Sequence, residues 1–64
     1  MQTQTQVPPE LVDAYRWELK VRGVTSPMPK ELALKLLQIF RKEFRSLELE
    51  DGALPGEVTI VRGL

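Results

Sequence analysis

The stretch from Pro29 to Leu47 constrains this chain more than any other. Leu32, Leu36, Ile39, Phe40, Phe44 and Leu47 recur at three- and four-residue steps, the spacing of an apolar stripe along an α-helix. Lys35, Arg41, Lys42 and Arg45 fall on the opposite side of the same helix. In a chain of 64 residues such a helix must carry most of the core. Its basic face is left for solvent or for a partner.

The chain is long enough for one domain and short enough to be marginal without a staple. Two kinds of staple are excluded, since there is no Cys for a disulfide and no His for a zinc site of the usual type. Self-association or docking on a larger protein is what remains. Nine Lys and Arg balance nine Asp and Glu overall, but not locally. From Pro29 to Ser46 five bases meet two acids, and from Leu47 onward four acids meet one base. Such a dipole suits solvated faces or head-to-tail steering. No apolar run is long enough to span a bilayer, and the N-terminal residues carry neither the basic nor the apolar region of a signal peptide, so a cytoplasmic location is expected.

Residues Met1 to Val7 are polar and repetitive and read as a disordered tail, with 8–64 forming one small domain. Pro8 and Pro9 suit a helix start, Glu10 and Asp13 favour its first turn, and Gly23 is a natural stop after Arg22. Helix 1 is thus expected from Pro9 to Arg22. Ser26 before Pro27 reads as the N-cap of helix 2, which runs to about Ser46. The remainder alternates: Leu47–Glu50 and Val58–Val61 read as strands, with Asp51-Gly52 and Pro55-Gly56 as turn pairs in a loop of about six residues. The expected fold is therefore α+β, two helices followed by a short C-terminal β-hairpin. Its core would be Leu11, Tyr15, Leu19, Leu32, Leu36, Phe40, Phe44 and one face of Val58–Ile60.

Helix 1 carries two apolar stripes when turned through about 100° per residue. Leu11, Val12, Tyr15 and Leu19 form one; Ala14, Trp17 and Val21 form the other. Glu18 and Arg22, four residues apart and able to pair, separate them. One stripe can pack on helix 2. The other either docks on another subunit or partner, or is covered when the hairpin folds back. Trp is enriched at binding hot spots and an uncovered Trp patch usually marks an interface, so Ala14, Trp17 and Val21, with Leu34 on the basic side of helix 2, are the candidate protein-contact residues. Glu43 falls inside the apolar arc and needs water or a base such as Arg16 or Arg22.

Catalysis has little to work with. His and Cys are missing, and Ser26 and Ser46 have no base at a recognisable spacing. Glu48, Glu50, Asp51 and Glu57 surround a glycine turn but lack the order of a calcium loop, and no Gly-Lys-Ser/Thr follows Gly52 or Gly56. No cofactor, metal or small-molecule substrate is expected. The expected function is a non-catalytic interaction module: a homo-oligomer, or an adaptor on a larger assembly of the kind small virus-encoded accessory proteins provide, in which case the location is the host cytoplasm. The edge of the C-terminal strand would add main-chain hydrogen bonds. The rival is a nucleic-acid-binding regulator using Lys35, Arg41, Lys42 and Arg45 against phosphates.

Overall fold

The computed structural model of the chain describes residues 7–63. Helix α1 (Pro9–Val21), strand β1 (Met28–Pro29), helix α2 (Lys30–Phe40), strand β2 (Leu47–Asp51) and strand β3 (Glu57–Arg62) follow one another. The three strands form one antiparallel sheet in the order β1-β3-β2. The class is α+β as expected, but the sheet is more than a C-terminal hairpin. A strand lying between the helices, too short to show a period, closes its far side. Of the expected disordered tail, residues 1–6 lie outside the described residues, and Val7 is half-buried against the core.

Helix α1 begins as its sequence requires. Pro8 is extended and its carbonyl accepts from the N–H groups of Leu11 and Val12, both at 3.1 Å. Proline at the next position loses no bond, because that N–H has no helical acceptor. The helix ends at Gly23, whose φ of +80° turns its N–H back onto the carbonyls of Glu18 and Leu19 at 3.1 Å each. Ser26 is not the cap of α2. Its N–H and hydroxyl both donate to the Glu18 carboxylate, at 2.6 and 3.1 Å, so Glu18 is engaged there rather than with Arg22. The position before α2 is filled by Pro29, which makes no side-chain cap. The N–H of Lys30 instead reaches the Gly56 carbonyl at 3.3 Å, fastening the helix start to the β2–β3 loop.

Helix α2 ends at Phe40, six residues before Ser46. No glycine or proline stops it; the chain tightens into a turn in which the N–H groups of Glu43 and Phe44 both return to the Phe40 carbonyl. Phe44 then meets Phe40 edge to face, ring centroids 6.1 Å apart, and Arg62 lies 5.7 Å above the Phe44 ring. This reversal lets Leu47 and Leu49 of β2 reach the apolar side of the sheet. The β2–β3 loop is shorter than expected by one residue, and Leu54-Pro55-Gly56-Glu57 makes a type II turn. Gly56 has φ +83° and the Glu57 N–H returns to the Leu54 carbonyl at 3.1 Å.

The core comprises Leu19 of α1, Met28 of β1, Ala33, Leu36, Leu37 and Phe40 of α2, and Val58 and Ile60 of β3. Both helices thus cover one side of the sheet. The period-2 alternation of β2 and β3 leaves Glu48, Glu50, Glu57, Thr59 and Val61 on the other. Tyr15, Leu32 and Phe44 pack around this core as half-buried residues, as do Val12, Leu47 and Leu49. Ile39, a member of the apolar stripe, is exposed, and the buried side of α2 is shifted towards Ala33 and Leu37. Leu11 is half-buried and stands apart from the cluster.

One register step in this sheet depends on a side chain. Val24 bridges Val61 and Met28 pairs with Val58, so the outer segment holds one residue more than β3 between the two pairs. Thr25 fills the irregularity. Its N–H donates to the Ile60 carbonyl at 3.0 Å, and its buried hydroxyl oxygen accepts from the Ile60 N–H at 2.9 Å. A backbone donor that the ladder would have orphaned is satisfied in this way.

Candidate protein-docking face

Trp17 and Val21 stand one turn apart on the side of α1 opposite Leu19, at 59% and 60% exposure. Ala14, three residues before Trp17, is exposed beside them. The sheet does not fold back over this face, because α1's inward residues already occupy the side facing β3. Leu34 is 44% exposed on α2. It shares the helical side of the sheet with Trp17 but sits on a separate element.

Charges frame the Trp17 face in order along α1. Glu10 and Asp13 lie towards its start, Lys20 and Arg22 towards its end, and all four are exposed. Arg16 holds α1 to the turn after α2. Its Nε and one terminal nitrogen donate to the two Glu43 carboxylate oxygens at 2.8 and 3.0 Å, while the other terminal nitrogen reaches Asp13 at 2.6 Å. Glu43, out of phase in the helical pattern, thus meets one of the two bases expected for it, within the same chain. The Arg16 hydrogen bond lowers the Glu43 pKa against some opposing desolvation, aided by the charges of Arg16 and Lys20. The same hydrogen bond is the main cause that raises Arg16. Burial, with a smaller contribution from the Glu18 charge, raises the Tyr15 phenol.

The four bases of the rival reading do not form one helical face. Lys35 is on α2, Arg41 is its C-terminal cap, and Lys42 and Arg45 follow in the turn and beyond it. All four are exposed. Arg41 and Lys42 stand where cations offset the negative end of a helix dipole, which accounts for their placement without a ligand. Among the described residues no group of three or more acids is placed to hold a metal ion, and no helix is long and apolar enough to cross a membrane.

The C-terminal strand is not an edge. It is the centre of the sheet, bounded by β1 on one side and β2 on the other. The open edge belongs to β2, a site the sequence pattern did not reveal because strand order is not written in periodicity. Comparison with protein-family models, with curated proteins and with solved structures found no match to this chain.

Proposed function

We propose that this protein is a non-catalytic interaction module that associates with a second copy through the Trp17 face of α1. The observation that carries the reading is a tryptophan and a valine, both more than half exposed, on the helix side facing away from the core. Charge order supports a second copy as the occupant. Two α1 helices packed antiparallel would set Asp13 of each near Lys20 of the other, on the flank of the paired Trp17 rings. The face is small, so affinity in the micromolar range is expected rather than an obligate dimer. An assembly of this kind would give an adaptor two equivalent outward surfaces.

Sedimentation equilibrium across a concentration series, with Trp17 emission recorded alongside, tests the proposal. Expected are a reversible dimer, a blue-shifted emission on association, a monomeric Trp17→Ala variant with an unchanged thermal melt, and weakened pairing in Lys20→Glu. A wild-type protein still monomeric at millimolar concentration, or a Trp17→Ala variant that dimerises as well as wild type, would overturn it.

A further inference from the structure

The β2 edge is an open hydrogen-bonding surface. The Gly63 N–H donates to the Ser46 carbonyl and the Gly52 N–H to the Glu57 carbonyl, at 2.6 and 2.7 Å. Those pairs bracket the ladder, so within it Glu48 and Glu50 are the residues whose main-chain groups point at β3. Leu47, Leu49 and Asp51 therefore point their N–H and C=O groups away from the sheet, and among the described residues none of these groups has a main-chain partner. The opposite edge is blunted: β1 is two residues long and one of them is Pro29, which has no N–H. β2 carries neither proline nor bulge over its five residues.

We infer that the β2 edge accepts, by strand addition, an extended segment of another protein in which basic and apolar residues alternate. Side chains on the two faces of β2 specify that chemistry. Towards the helices, Leu47 and Leu49 are only half-buried, and apolar residues of an added strand would complete their cover. On the opposite face Glu48 and Glu50 are exposed, with Glu57 beyond them on β3, so Lys or Arg at alternate positions of the added strand meets acids. A second copy is the wrong occupant. Antiparallel pairing of two β2 edges about Leu49 sets Glu48 against Glu50 in both directions, and like charges directly opposite are destabilising. The edge is thereby guarded against self-pairing while open to a basic strand.

Hydrogen exchange by NMR on ¹⁵N-labelled full-length protein tests this, with a capped lysine–valine alternating heptapeptide as probe and the glutamate–valine counterpart as control. Expected is at least tenfold slower exchange at Leu47, Leu49 and Asp51 with the lysine peptide alone. Glu48→Lys combined with Glu50→Lys should reverse the preference between the peptides. Running the titration also in Trp17→Ala separates this edge from the Trp17 face, since the edge should bind equally well there. Unchanged exchange at the three amides at millimolar lysine peptide overturns the inference, as does equal binding of both peptides or protection confined to other residues.

Discussion

Thr25→Val is the sharpest probe of how the sheet is held. Valine nearly matches threonine in shape, so packing at this buried position is retained while the hydroxyl oxygen is lost. The Ile60 N–H then has no acceptor, and Ile60 is fully enclosed. Leaving a buried donor unsatisfied costs about 1–3 kcal/mol. For a domain of this size that corresponds to a fall in Tm of roughly 5–20 °C. Thr25→Ser keeps the oxygen and removes one methyl, worth about 0.8 kcal/mol. Urea unfolding followed by circular dichroism should therefore rank the proteins wild type, Thr25→Ser, Thr25→Val in falling stability. A valine variant as stable as wild type, or more stable than the serine variant, would refute the assignment of Thr25 as the acceptor that covers the extra residue in the ladder.

Gly23→Ala should destabilise through the backbone alone, because a Cβ there meets nothing within 4 Å while φ is +80°. The left-handed conformation costs a non-glycine residue about 1–2 kcal/mol, and Gly23→Asn should lose less, measurable as urea midpoints. Glu43→Gln tests the Arg16 pair by pH. The Glu43 pKa is lowered on folding, so the pair's contribution is complete above the usual glutamate value of 4.5 and is lost as pH falls through the lower folded value. The stability gap between wild type and Glu43→Gln should accordingly be largest near neutrality and narrow progressively in acid. A gap independent of pH would exclude an ionic origin.

Much of this architecture is written in local chemistry. Gly23 stops α1 because a left-handed residue is needed there, and Pro55-Gly56 turns the chain because proline and glycine supply the two dihedral pairs of a type II turn. The two-sided character of α1 follows equally from its residues, and its Trp17 stripe is exposed. What stayed hidden was tertiary. Apolar residues from Leu32 to Phe40 cover so much of the α2 circumference that periodicity cannot choose a side. The sheet chose Ala33 and Leu37 over Ile39. Met28, flanked by Pro27 and Pro29, gives no strand period at all, yet it is buried because β3 needed a second neighbour. The end of α2 at Phe40 has no breaker to announce it and follows from where β2 must run. For the same reason the open edge on β2 could not be read from the strand sequences alone.

The central position of β3 has a consequence for biogenesis. Every long-range main-chain tie described, from the Val24 bridge to the Lys30–Gly56 bond, ends on Gly56 or on a later residue, whereas the Arg16–Glu43 side-chain pair lies wholly before it. While the ribosome still shelters that segment, the emerged portion owns two amphipathic helices and no sheet to lay them on. The sheet can assemble only once β3 has emerged, and until then the apolar faces of both helices lack the surface that covers them.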